Sequence, residues 1–279
     1  MKLINHRLYH DDDEPYPYRE TPNRGGIFTP LFLVVHYTAG ATAEQAVTWL
    51  TQTRAQASAH AVIGRDGSIT QLAPFNIITW HAGVSNWKGY KGMNKYAIGL
   101  ELDNPGPLSH AANGEWVSWF GSRHDPSEVI EAKHKNRTEM QGWLLYSQAQ
   151  MEATMELSEL LVEAYGLEDV IGHDDIAPTR KTDPGPAFPM NSFRSRLFGR
   201  SGASSAADEK VFETTASLNI RTGPGSQYPS LPGSPLPRGT RLDVLDENGS
   251  WLHVDVLDAV NGVIDLEGWV HGSYVRPVP

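Results

Sequence analysis

The sequence predicts an α/β (α+β) protein in which a larger domain, residues 1–198, is followed by a small all-β barrel at 210–279. Three observations carry this reading. Apolar runs of strand type alternate with helix-type periodicity through the first 198 residues, which is the signature of a mixed fold. The last 70 residues hold only short strand candidates separated by turn signals. Between the two, GRSGASSAADE at 199–209 is small and polar and has the composition of a linker. A chain of 279 residues also exceeds the usual single-domain size.

Residues 1–28 are polar and punctuated by Pro15, Pro17, Pro22, Gly25 and Gly26, so they read as an extended arm, its acidic run at 11–14 solvated. LFLVV at 31–35 is a continuous apolar run, expected as a strand buried on both faces that delivers His36 at its C-terminal end. A histidine there is either a satisfied core imidazole or a ligand. Thr42 and Gln45 have capping-box spacing and open a helix to about Thr51, with Val47 and Leu50 facing inward. AHAVIGRDGSITQLAP reads as a hairpin turning at Asp66 and Gly67, and Trp80, His81, Ala82 and Gly83 follow in a loop.

YAIGLELDN alternates with period two: Ile98, Leu100 and Leu102 take one face, Gly99, Glu101 and Asp103 the other. Glu101 is then an ordinary surface glutamate, or a positioned carboxylate if that face lines a cleft. Residues 104–142 show no steady period and read as a long loop or insertion beside the cleft. Ser147 and Gln150 begin a second helix to about Tyr165, closed by Gly166, with an apolar stripe of Ala153, Leu157, Leu160, Leu161 and Ala164.

The helix runs into IGHDDIAPTRKTDPGPAF at 171–188, where Pro178, Pro184 and Pro186 prevent a regular helix. The loop presents His173, Lys181 and Asp183, a poor set for a core and a reasonable one for holding a metal and a substrate group. A short helix at 191–198 ends the domain. In the tail, strands are expected at 218–220, 241–245, 251–256 and 269–270, with turns at 223–225, 248–249 and 261–262.

Composition narrows the function. Hydrophobic residues at 39% and charged residues at 20% describe a globular chain. A net charge of -10, from 23 Lys and Arg against 33 Asp and Glu, argues against a nucleic-acid partner. The absence of cysteine removes thiolate zinc sites, Fe–S clusters and thiol nucleophiles, so a metal would need imidazole and carboxylate ligands. His36, His173 and Asp183 make such a set, although their separation along the chain encodes no geometry. MKLINHRLYHDDDE lacks an apolar h-region and no stretch has the length of a membrane span, so synthesis in the cytoplasm without a secretory signal is expected.

VVHYTAG, SAHAVIGRDGSITQLAP, WHAGVS, YAIGLELDN and GHDDIAPTRKTDPGPAF, in this order, closely resemble the zinc-dependent N-acetylmuramoyl-L-alanine amidases, a fold shared with peptidoglycan recognition proteins and phage lysozyme-type amidases. The match spans roughly 30–198. It implies a mixed central β-sheet flanked by helices, a Zn2+ cofactor bound by His36, His173 and Asp183, catalytic roles for Glu101 and Lys181, and a cleft-lining, substrate-touching His81. SLNIRTGPGSQYP, GSWLHV and GWVHGSYV resemble a bacterial SH3-like domain, often a binder of cell-wall peptide or glycan, here lengthened around 256–268.

The resemblance implies hydrolysis of the amide bond between N-acetylmuramic acid and L-alanine in peptidoglycan or muropeptides. The alternative is a recognition protein that binds peptidoglycan without cutting it. Non-catalytic relatives typically lose a zinc ligand, and all three ligands and both catalytic positions stand here. Within the enzyme class, the missing signal points to cytoplasmic recycling of anhydromuropeptides, and the appended SH3-like domain points to a lysin acting on intact wall.

Overall fold

The apolar run at 31–35 becomes strand β1 (Phe32–Tyr37), with Leu33, Val34 and Val35 fully buried. It is the middle of a run of parallel pairings. With β2 (Ala61–Ile63), β3 (Ile69–Gln71), β4 (Ala97–Leu102) and β5 (Asp169–Gly172) it forms a five-stranded sheet in the order β5-β1-β4-β2-β3. β1 pairs in parallel with β4 and β5, β4 in parallel with β2, and β2 antiparallel with β3. The sheet is therefore mixed. Parallel neighbours on both sides explain why β1 reads as an unbroken apolar run rather than an alternating one.

The computed structural model describes residues 1–198, 211–263 and 266–278, so the expected linker at 199–209 lies outside the described residues. The chain divides into two compact units, Met1–Gly106 with Ala149–Gly185, and Pro107–Gln148 with Pro186–Pro279. The first unit contains the five-stranded sheet. Its helix α1 (Ala43–Leu50) starts where the capping residues predict: Thr42 Oγ1 accepts from the Gln45 N–H at 3.2 Å. Val47 and Leu50 of α1 pack with Ala59, Val62 and Leu72. Another cluster joins Phe32, Val34, Ala82, Met93, Ala97, Ile171 and Ile176.

Two expectations change in this unit. The N-terminal arm is built into the fold, because Lys2–Ile4 and Arg7–Tyr9 pair as a hairpin and Leu8 is buried. Gln71 holds it, accepting from the Leu8 N–H and donating to the His6 carbonyl. Helix α2 (Gln148–Tyr165) has the expected length and ends at Gly166, whose φ of +63° suits glycine. Its buried face, however, runs through Gln150, Met151, Thr154, Met155, Leu157, Ser158 and Leu161, while Ala164 is exposed. Thr154 and Ser158 can be buried because their hydroxyls donate to the carbonyls of Gln150 and Thr154, one turn back. A purely apolar stripe does not find such positions.

In the second unit, the segment expected as a long loop is an antiparallel sheet in the order Arg123–His124, Trp116–Val117, Pro107–His110, Met140–Leu144, Val129–Lys133. Strands of two to five residues are too short to display a period against their turns. The tail is all-β: Leu266–His271, Trp251–Val256, Arg241–Asn248, Phe212–Thr214 and Val275–Pro277 lie side by side in that order around Ile220, Leu236, Leu242, Val254 and Val270. Residues 218–220 contribute only an isolated bridge between Leu218 and Leu236.

This unit joins the insertion and the last helix to the tail, a different division from the boundary expected after residue 198. The reason is polar. The Trp269 Nε1–H donates to the Glu131 carbonyl at 2.8 Å, the Glu131 N–H to the Thr222 carbonyl at 2.8 Å, and the Tyr228 hydroxyl to Glu131 Oε2 at 2.9 Å. At helix α4 (Met190–Phe198), Asp255 accepts the Ser192 N–H and Asp243 the Asn191 amide. Trp269→Phe, which strips the Glu131 carbonyl of its indole donor in a part-buried contact, is expected to cost about 1–2 kcal/mol in urea unfolding.

Candidate active site

Strand register assembles the site. In the parallel pair, Glu101 of β4 lies beside His36 of β1, and Gly172 of β5 lies beside Val35, so His173 leaves β5 next to the same end of β1. Three candidate residues thus meet at the C-terminal ends of neighbouring parallel strands, where crevices of α/β sheets form. His173 opens a single helical turn, α3 (His173–Ile176), and Asp175 Oδ2 accepts the Gly172 N–H at 2.8 Å. The Asp174 N–H donates to the Asp183 carbonyl at 2.8 Å, which draws the second half of the loop back to β1. The Tyr37 hydroxyl meets Thr182 Oγ1 at 2.6 Å and ties the strand end to the same segment.

Three ligand-type atoms converge as a result. His36 Nδ1 and His173 Nδ1 lie 2.9 Å apart, and each is 2.8 Å from Asp183 Oδ2; all three residues are buried. The outer nitrogens fix the protons. His173 Nε2 lies 3.1 Å from the Ala82 carbonyl, which only accepts, and 3.4 Å from Arg180 Nη2, which itself donates to that carbonyl at 2.8 Å; the closer contact favours the hydrogen on Nε2, with Nδ1 bare. Likewise His81 Nε2 donates to the Ala97 carbonyl at 3.0 Å, its Nδ1 accepts from His36 Nε2 at 2.9 Å, and His36 Nδ1 is bare in turn. Burial, then the neighbouring His173, pulls His36 down to about 4, so it is neutral at pH 7.

Three lone pairs facing one another at under 3 Å repel unless a cation lies among them. Two imidazoles, each held from behind at Nε2, and one carboxylate are a donor set that suits zinc, with room in its coordination for a water or substrate. Asp169, Asp174 and the other carboxylates form no comparable cluster with histidine among the described residues.

Glu101 stands beside this cluster with Oε2 buried and without a hydrogen-bond partner. Burial, reinforced by the charge of Asp183 and opposed by Lys181, pushes its carboxyl up to about 8. A carboxylate with that affinity for a proton is suited to general base and acid work near neutrality. Lys181 is half-buried, two residues before Asp183 on the same segment, its N–H donating to the Ala177 carbonyl at 3.0 Å.

His81, expected to touch substrate, occupies a different place: it lies behind His36 with both ring nitrogens engaged, and it is only 9% exposed. Gly99 makes the space, since a Cβ there would come within 2.4 Å of His81 Cγ. Gly99→Ala is expected to destabilise the unit by about 1–3 kcal/mol in denaturant unfolding, because the ring is bonded at both ends and cannot give way. Sequence reasoning missed Asn94, whose Oδ1 accepts the N–H groups of His81 and Ala82 at 3.0 and 2.7 Å. It also missed Arg180, which donates to the carbonyls of Ala82 and Val84. Arg180 sits beside Lys181 in the singled-out loop and could have been found there; Asn94 carries no such signal.

Two family profiles and several curated relatives match this chain. The family profile described as N-acetylmuramoyl-L-alanine amidase matches residues 28–186, and that described as bacterial SH3 domain matches 216–276. The 1,6-anhydro-N-acetylmuramyl-L-alanine amidase AmpD of Escherichia coli strain K12 is 33% identical over 139 residues, 49% of this chain and 56% of that protein. The N-acetylmuramoyl-L-alanine amidase AmiD of the same strain is 30% identical over 176 residues, 60% of this chain and 53% of that protein. The chain therefore spans about half the length of these curated relatives. A solved complex of E. coli AmiD with anhydro-N-acetylmuramic acid-L-Ala-D-gamma-Glu-L-Lys aligns at 28% identity and a TM-score of 0.42, covering 67% of this chain and 59% of that one.

Proposed function

The chain belongs to the N-acetylmuramoyl-L-alanine amidase family, and from that premise we propose that it hydrolyses the amide bond between N-acetylmuramic acid and L-alanine in peptidoglycan or muropeptides, with zinc as cofactor. The observation that carries this is the convergence of His36 Nδ1, His173 Nδ1 and Asp183 Oδ2 beside Glu101, whose buried Oε2 has no hydrogen-bond partner. Zinc held by those three residues supplies a Lewis acid for the scissile carbonyl and acidifies water.

Glu101 takes a proton from the attacking water as its oxygen bonds to the lactyl carbonyl carbon. When the C–N bond breaks, Glu101 returns that proton to the departing α-amine of L-alanine. Lys181 neutralises the oxygen that carries the negative charge between these steps. The products are a muramic acid carboxylate and a peptide with a free L-alanine amino group.

On substrate, we read intact wall as the first candidate, because the tail belongs to a module family associated with it. A second reading, soluble anhydromuropeptide, is favoured by two observations. The relative matched over 139 residues is named for the 1,6-anhydro sugar. Tyr228 and Trp269 of the tail are engaged by Glu131 of the same chain, which leaves that part of the module less open to wall. Among the described residues, no helix is long and apolar enough to cross a membrane.

Mass spectrometry of products from intact peptidoglycan and from soluble anhydromuropeptide, each with and without chelator, tests the proposal. Metal-dependent release of L-alanine-headed peptides from wall is the expected result. Release from the soluble fragment alone selects the second reading, and release from neither, with binding to sacculi retained, overturns hydrolysis in favour of recognition.

A further inference from the structure

Two consecutive residues of the 80–83 loop hold the outer nitrogens of both cluster histidines: the His81 ring meets His36 Nε2, and the Ala82 carbonyl meets His173 Nε2. The loop is itself anchored, because Asn94 Oδ1 accepts both backbone N–H groups and Arg180 donates to the Ala82 carbonyl. His81 is the replaceable element of this arrangement, since its contribution is made by a side chain.

Without an acceptor at Nε2, the buried ring of His36 finds acceptors for its proton only on the Nδ1 side: Asp183 Oδ2 at 2.8 Å and the bare His173 Nδ1 at 2.9 Å, of which the carboxylate is the stronger. The proton would then move to Nδ1, satisfy the carboxylate and occupy the place where a cation belongs. We propose that His81 is a positioning residue that locks His36 as the Nε2–H tautomer and so keeps Nδ1 free as a metal ligand. The two-sided bonding of His81, from the Ala97 carbonyl to His36, passes the requirement back to a fixed point in β4. The glycine at position 99, which leaves room for the ring against that strand, belongs to the same device.

This inference rests on the metal reading above, but it concerns a proton position that can be read in the metal-free protein. The test compares the full chain with His81→Phe, which keeps the ring volume and lacks the acceptor, and His81→Asn, whose Oδ1 replaces Nδ1 but leaves a cavity. Three quantities are measured: Zn2+ affinity by chelator competition, the His36 tautomer by 15N chemical shifts without metal, and thermal midpoints.

His81→Phe is expected to weaken zinc by about 10–100-fold, the range for losing an outer partner of a ligand, and to move the His36 proton to Nδ1. His81→Asn is expected to restore affinity to within a few-fold, and the Nε2–H tautomer with it, despite the lower melting point of the two variants. Affinity and stability should therefore rank in opposite orders. The proposal is overturned if affinity simply follows melting temperature, or if His36 keeps its Nε2–H tautomer in His81→Phe. A wild-type protein that binds no zinc would refute the metal reading alone, and the nitrogen shifts would still decide the tautomer claim.

Discussion

Glu101→Gln is expected to lower turnover of the muramoyl-L-alanine bond by about 10²–10⁴-fold while zinc still binds. The amide keeps the shape of the side chain and can neither take a proton from water nor return one to the amine. Initial rates from chromatographic quantitation of released peptide, beside a chelator competition for zinc, separate these effects. Wild-type turnover in the variant would remove the base assignment.

The same substitution has a second consequence, of opposite sign, in the metal-free protein. Burial raises the folded-state carboxyl to about 8 from an ordinary value of 4.5. Between those values the folded chain holds a proton that the unfolded chain has released, so stability falls as pH rises through the window. Glutamine has no charge to bury. Urea unfolding should therefore show Glu101→Gln more stable than wild type at pH 8 by a margin of order 1 kcal/mol or more, with the gap closing at pH 4. A functional residue that costs stability in its resting state is common in active sites.

How far the site is legible in the sequence depends on which physical rule positions each residue. β1 and β4 declare themselves by apolar content, and the helix starts by their caps, because those signals are local. That Glu101 lies level with His36 is a matter of parallel register between strands separated by sixty residues of chain, and no local pattern encodes it. The alternation in 97–103 even suggests one open face, yet Ala97, Gly99 and Asp103 of that face are buried along with Ile98, Leu100 and Leu102, because both faces of the strand are covered. His81 shows the same limit. A histidine in a loop reads as available to substrate, and only the carbonyl of Ala97 and the imidazole of His36 at its two nitrogens show otherwise.

Asp183→Asn isolates the metal requirement from the fold. In the metal-free wild type, Asp183 Oδ2 and two imidazole nitrogens present lone pairs to one another at 2.8–2.9 Å. The asparagine amide group can turn its NH₂ toward the bare Nδ1 atoms of His36 and His173 and donate to them. It satisfies in the apo protein what a cation satisfies in the loaded one. The variant is therefore expected to be at least as stable as metal-free wild type, an unusual outcome for a change at a buried carboxylate, while its zinc affinity drops by more than the roughly 10–100-fold of a lost outer partner. Zinc at about a thousand times the wild-type dissociation constant should stabilise wild type by about 4 kcal/mol through mass action and Asp183→Asn by less than about 1.5 kcal/mol, with hydrolysis abolished. Thermal melts with and without zinc check this directly. A zinc-dependent rise in melting temperature in the variant equal to that of wild type would show that the ion is held elsewhere, and would take the hydrolytic centre away from His36, His173 and Asp183.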